Sequence, residues 1–152
     1  MCDKQNTRYN LILMIAALAY GINLFANIGL LIMTIMALIN LSDLECGLVG
    51  VNDCCRKLNS YGLPEIIVHL IGSAALLMAN RWIFLILSLM LDALLLYRHM
   101  VKPRGHLSRY DPSEILKGYQ LKQHIQITVG KMSIFLLFTF SYLFAFLFVL
   151  IE

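Results

Sequence analysis

The sequence predicts an all-α, polytopic membrane protein with four transmembrane helices, at about residues 10–41, 64–79, 82–97 and 132–151. Three observations carry this. Hydrophobic residues make up 60% of the 152 and charged residues only 14%, where a soluble domain carries about 25%. A water-exposed globule with so little charge could not cover its surface with polar groups. Second, no charge falls within residues 10–41 or 132–151, and charge-free apolar runs of about 18 residues or more span a bilayer. Third, the apolar region 63–97 contains only Glu65, Arg81 and Asp92 as charges.

Each element has its own justification. The first apolar run would be roughly 48 Å long as a helix, so it tilts or extends past the membrane surface. Ala17-Leu18-Ala19 resembles a signal-cleavage triplet, but the apolar run continues well beyond it, which favours an uncleaved anchor. Residues 63–97 as one rod would reach roughly 52 Å, too long for a single span. A rod would also bury Arg81 at the bilayer centre, at about 2.5–3.5 kcal/mol. A break near Asn80-Arg81 instead places Arg81 among the headgroups beside Trp82, an interfacial anchor. Pro64 suits a first helical position, and Glu65 suits the positive helix end. The last run spans roughly 30 Å, the thickness of the hydrocarbon core.

Orientation follows the positive-inside rule. Segment 98–131 carries Arg98, Lys102, Arg104, Arg109, Lys117, Lys122 and Lys131 against Asp111 and Glu114. It is expected to be a basic cytoplasmic loop. With four spans, residues 42–62 are then cytoplasmic too, and both termini are lumenal or extracellular. Lys4 and Arg8 pull the other way, toward three spans and a cytoplasmic N-terminus. The length implies one membrane domain over residues 1–152. A net charge of +3 is too small and dispersed for a nucleic-acid partner.

No catalytic or cofactor pattern emerges. The cysteines are Cys2, Cys46, Cys54 and Cys55, without Cys-x-x-Cys spacing or a histidine in the same loop, so no metal site is expected. Free thiols are the expectation, with juxtamembrane acylation of Cys54 or Cys55 as the alternative. Three of the four histidines, His99, His106 and His124, fall in the basic segment and read as solvated.

Polar residues inside the membrane are candidates for function or for holding helices together. A turn centred between Asn80 and Arg81 puts His69 and Asp92 at equal depth, and sets Glu65 opposite Leu96, near Arg98. These four form a candidate intramembrane pairing set. In the first helix Ala16, Tyr20, Asn23, Asn27 and Thr34 fall on one face. Two readings of that stripe stand. It packs on this protein's own helices, or Tyr20, Asn23, Asn27 and Thr34 bind a helix of another membrane protein as cargo. The last helix has two aromatic stripes, Phe138/Tyr142/Phe146 and Phe140/Phe144/Phe148, read chiefly as lipid-facing bulk.

Seven segments in order resemble one family. They are S-D-L-E-C at 42–46, C-C-R-K-L-N at 54–59, L-P-E-I-I-V-H at 63–69, W-I-F-L-I-L at 82–87, Y-R-H-M at 97–100, Y-D-P-S-E-I at 110–115 and Q-L-K-Q-H at 120–124. Together they are similar to the cornichons, small membrane proteins of the endoplasmic reticulum. The chain departs from the family pattern at Gly47-Leu48-Val49-Gly50 and at Ser88-Leu89-Met90. The resemblance implies a four-helix cargo receptor without catalysis or cofactor, cycling between the endoplasmic reticulum and Golgi membranes. Its implied partners are transmembrane cargo proteins, COPII coat subunits and the lipid bilayer, with a homo-oligomer compatible. The coat-contacting stretch it implies is Ile115, Leu116, Lys117, Gly118 and Tyr119. Asp111, Pro112 and Glu114 just before it read locally as a helix start. The family also contains auxiliary subunits of receptors and ion channels. A small transporter would need internal repeats, and none is visible.

Overall fold

A computed structural model of the chain describes residues 2–101 and 110–151. Lys102, Arg104, His106 and Arg109 of the basic segment lie outside the described residues. The elements are α1 (Cys2–Glu45), α2 (Val51–Met78), α3 (Trp82–Met100), the short α4 (Pro112–Ile115) and α5 (Gly118–Ile151). Four of them are long and apolar enough to cross a membrane.

The inward face of α1 is written in heptads. Ala16, Tyr20, Asn23, Asn27, Leu30, Thr34 and Leu41 are all buried, with half-buried Ala37 completing the alternation of fours and threes. The buried positions of α5, Thr128, Phe135, Tyr142 and Val149, are each seven apart. Such spacing gives one continuous seam per helix, which suits near-parallel packing. Accordingly α1 lies between α2 and α5, and α3 packs back on α2. Large side chains join α3 to α5: the Phe84 ring is 5.5 Å from that of Tyr142, and Leu91 and Leu95 share a cluster with Leu30 and Phe135.

Both tight turns end a helix in the same way. At the first, Leu48 N–H reaches Asp43 O (2.8 Å) and Gly47 N–H reaches Leu44 O (3.1 Å), with Gly47 at φ 73°. At the second, Arg81 N–H reaches Leu76 O (3.3 Å) and Asn80 N–H reaches Leu77 O (3.1 Å), with Asn80 at φ 57°. These are paired 6→1 and 5→2 bonds around a left-handed residue, for which Gly and Asn carry the least penalty. The glycine that departs from the family pattern therefore makes the α1–α2 turn. The Asn80-Arg81 break is where the cost of a buried arginine placed it, and the Arg81 guanidinium lies 5.8 Å from the centre of the Tyr20 ring.

All four membrane helices run on beyond an expected end, α3 by only three residues, to Met100. α2 starts at Val51, so Pro64 and Glu65 lie inside it and not at its first turn. α5 starts at Gly118, so the expected 98–131 loop is helical over its second half. The reason is a second apolar cluster past the charge-free runs: Leu41, Leu44, Cys54, Cys55, Leu58 and Ile115, flanked by Leu121 and Ile125. Burying these side chains carries the helices through Gly62 and Pro64, which local propensity alone would read as a boundary. At the opposite end α1 overshoots. Ala16 is level with Leu85 and Val149 beside the α2–α3 turn, and every side chain from Lys4 to Ile12 is exposed. That stub is roughly 13 Å long, at about 1.5 Å per residue.

Candidate functional site

The candidate features stack along the bundle axis. Deepest is a polar network on the α2–α3 hairpin. His69 Nδ1 lies 2.5 Å from Asp92 Oδ1, and Ser73 Oγ donates to Asp92 Oδ2 at 2.5 Å. Ser88 Oγ is 2.6 Å from Ser73 Oγ. Ser73 has one hydroxyl proton, and its short contact with the carboxylate takes it, so Ser88 is the donor in that pair. Asn23 of α1 joins from the side, giving its amide N–H to Gly72 O (3.0 Å) and to its own helix at Ala19 O (2.9 Å). A Cβ on Gly72 would sit 2.5 Å from Asn23 Oδ1. Glycine is therefore what leaves room for the Asn23 amide to lie against α2.

This constellation ties α2 to α3: the Asp92 carboxylate takes both the His69 imidazole and the Ser73 hydroxyl. Its residues are shut inside the bundle, His69 and Asp92 at 4% and 5% exposed. Among the described residues no group of three His, Cys, Asp or Glu side chains could hold a metal ion.

About one helical turn nearer the basic end, Lys131 Nζ of α5 sits 2.8 Å from Glu65 Oε2 and 2.6 Å from Oε1. The sequence expectation had set Glu65 beside Arg98. The Glu65 carboxylate pairs with Lys131, and Arg98 lines the same cavity as Glu65. Depth along α2 and α3 put Arg98 within range, but it could not reveal how α5 registers against α2.

The stripe on α1 is core. Tyr20, Asn23, Asn27 and Thr34 are 2–4% exposed, so they offer no surface to a passing helix. Thr34 donates to Leu30 O (2.8 Å) and Asn27 to Asn23 O (3.1 Å), satisfying their donors within α1. The reading of these four as cargo-binding is thereby corrected to internal packing. The aromatic stripes of α5 divide. Tyr142 of the first is fully buried with Phe138 and Phe146 half-buried beside it, while Phe140, Phe144 and Phe148 of the second point outward.

The 110–119 segment forms a corner at the basic end. Asn59 clamps it to α2, donating to Tyr110 O (3.1 Å) and accepting from Tyr110 N–H (3.0 Å). The Tyr110 ring packs 5.0 Å from that of His124. Asp111 caps α4 by accepting from Ser113 N–H at 3.0 Å, with Pro112 at the first helical position. Ile115 then plugs the outer cluster at 1% exposed, whereas Leu116 and Tyr119 stand out at 66% and 77%, and Lys117 and Gly118 are exposed with them. Of the five expected coat-contacting residues, Ile115 is therefore structural and the other four are presented outward. Cys54 and Cys55 belong to the same buried cluster. Both are free thiols, and Cys54 Sγ lies 3.4 Å from Asn40 O. Burial removes them as acylation sites.

Ser73, Ser88, Gly72 and Lys131 were not singled out from the sequence. The two serines carried a signal: each is four residues from its acidic or imidazole neighbour, toward the turn, and they are equidistant from that turn. Gly72 and Lys131 carried none, because their roles depend on helices that are not adjacent in sequence.

The chain's likeness to known proteins agrees with this architecture. The family described as Cornichon protein matches residues 17–144. The ER-derived vesicles protein erv14 of Schizosaccharomyces pombe is 30% identical over 122 residues, covering 80% of this chain and 85% of that protein. Protein cornichon of Drosophila virilis is 26% identical over 137 residues, and that of Drosophila melanogaster 25% over 137, each covering 90% of this chain and 95% of the relative. With a match spanning both turns and parts of all four membrane helices, the chain belongs to the cornichon family.

Proposed function

We propose that this protein is a cargo receptor that gathers transmembrane proteins for export from the endoplasmic reticulum to the Golgi in COPII-coated vesicles. The observation that carries the reading is the family match over residues 17–144, joined to a relative whose name ties it to ER-derived vesicles. Four spans put the termini on one side and the α1–α2 turn and 101–117 segment on the other. The concentration of lysine and arginine there supports a cytosolic position for that end. Leu116, Lys117, Gly118 and Tyr119 then face the coat. Cargo contact falls on the lipid-facing sides, where Phe25, Phe144 and Phe148 are the most exposed aromatics. Holding cargo in the bilayer and coat in the cytosol makes the second contact intramolecular, so two modest affinities suffice by effective concentration.

The test is export. Deleting the protein should slow delivery of its membrane cargo to the Golgi, and delivery at the normal rate removes the receptor reading. Replacing Leu116 and Tyr119 by alanine should hold the folded protein in the endoplasmic reticulum. Normal exit of that variant removes the coat assignment. A protein that instead stays bound to a surface channel, with cargo export unaffected, is an auxiliary subunit.

A further inference from the structure

The buried seam of α1 has a counterpart on the opposite side of the same helix. Alternate steps of four and three from Lys4 reach Arg8 and Leu11, and run on to Met36, Ile39 and Asp43. Every position of this second seam from Lys4 to Ile39 is exposed, and Asp43 is half-buried. From Leu11 to Ile39 the seam is apolar throughout. Near its middle Phe25 stands 78% exposed, and one turn further on a Cβ at Gly29 would meet nothing within 4 Å. A protruding ring beside a notch lets a second helix pack closely.

Lipid does not account for the whole seam. At about 1.5 Å per residue, Leu11 to Ile39 covers about 42 Å, against about 30 Å of hydrocarbon. The packing shows where the excess lies. Ala16 clusters with Val149, and Leu30 with Phe135, and both pairings set Lys131 level with Thr34. Met36 and Ile39 therefore lie past the level of Lys131, among headgroups and water. At the other end Leu11 lies beyond the start of α3, because Ala16 is level with Leu85.

Charge decides what covers this face. The seam ends in two cations on the lumenal side, Lys4 and Arg8, and in the Asp43 carboxylate on the cytosolic side. None of the three joins an ion pair among the described residues. That polarity is the reverse of the usual one, in which Lys and Arg flank the cytosolic end of a span. A second copy of this chain would share its orientation, so a two-fold contact along the seam would set Lys4 against Lys4, Arg8 against Arg8 and Asp43 against Asp43. A span of ordinary polarity instead brings its cytosolic lysines and arginines to Asp43. An acidic lumenal flank completes the match at Lys4 and Arg8.

We propose that the outward face of α1 docks the transmembrane helix of cargo whose flanks are acidic on the lumenal side and basic on the cytosolic side. The choice of cargo as the partner, and the lumenal placement of Lys4 and Arg8, rest on the receptor reading above.

The test uses the full-length protein in endoplasmic reticulum membranes, with a photo-crosslinker in place of Ile32, an exposed seam residue. The probe is a single-span reporter with a glycosylated lumenal domain, a leucine-rich span and two lysines on its cytosolic flank. One version carries two glutamates on the lumenal flank and the other two lysines. Adducts with the glutamate version should exceed those with the lysine version by about three-fold, the scale of a few exposed charge pairs. Lys4→Glu combined with Arg8→Glu should reverse the preference. Gly29→Leu, which fills the notch without an internal clash, should lower adducts with both versions. Lys4, Arg8 and Gly29 lie on the surface, so these variants keep the fold. A crosslinker at Leu137, exposed on α5, should show no preference. Equal adducts with the two reporters, a preference that the charge variant does not reverse, or the same preference at Leu137 overturns the proposal. Adducts chiefly between two copies of this chain overturn it too, and make the seam a self-interface. The readout is separate from export. Lost preference with export still dependent on the protein removes the docking face alone, whereas intact preference with export unaffected by deletion removes the receptor reading alone.

Discussion

Between the α2–α3 turn and the Glu65–Lys131 pair, the interior of the bundle sets Asn23, Asn27, Thr34, His69, Ser73, Ser88 and Asp92 among apolar side chains such as Leu30, Leu76, Phe135 and Tyr142, and its exterior is Leu, Ile, Met and Phe. Past that pair the interior loses most of its polar groups and the exterior gains charge. Leu41, Leu44, Cys54, Cys55, Leu58 and Ile115 are inside, and Asp53, Arg56, Lys57, Lys117 and Lys122 are outside. The same helices run through both halves, so the difference comes from the solvent. Lipid supplies no hydrophobic drive between helices, and cohesion there rests on close packing and hydrogen bonds. Beyond the bilayer, water supplies the drive and apolar burial suffices.

The comparison can be broken at four places. Asp92→Ala should be the most damaging change, because it takes the carboxylate from His69 and Ser73 at once in a desolvated network. A loss of about 3–5 kcal/mol is expected, read as unfolding in detergent micelles. A neutral outcome means that the lipid-embedded half is held by packing alone. Ile115→Ala tests the outer half: about 2–4 kcal/mol should go with the cavity it leaves, and hydrogen exchange should rise in α4 and in residues 51–58 before it rises in α3. Uniform exchange throughout would mean that the halves are not separable. Gly72→Ala follows, at about 1–3 kcal/mol from overpacking against Asn23. Adding Asn23→Ala should recover part of that, since the two sites are coupled; strict additivity would show that the clash relaxes elsewhere. Smallest in stability are Leu116→Ala and Tyr119→Ala, each within about 0.5 kcal/mol. Export should suffer far more from these two than folding does.

How much of this could be read in advance divides along the same line. Spans follow from missing charge, and the α2–α3 break from the cost of burying Arg81, so the lipid half was legible. Register across a tight turn is a matter of counting, which is why the depth of His69 relative to Asp92 could be worked out. Residues 51–63 and 118–131 read as loop because hydropathy reports contact with lipid and is silent about helices stabilised by a small water-side core. Lys117, Lys122 and Lys131 looked like loop charges, yet the last two ride on the continuing α5. The Tyr20–Thr34 stripe showed its spacing but not its occupant, since an amide facing a sister helix and one facing a foreign helix look alike in sequence. The Lys131 partner of Glu65 needed the α2–α5 register, which no turn sets.

The overshoot of α1 makes the molecule sensitive to membrane thickness. Leu11, Ile12 and Met14 are each more than half bare and stand at or above the level where the other helices end. A bilayer a few ångströms deeper on that side wets them less, and each ångström of mismatch counts for a fraction of a kcal/mol. With nothing rearranged inside it, the bundle sits more comfortably in a thick sheet of lipid than in a thin one.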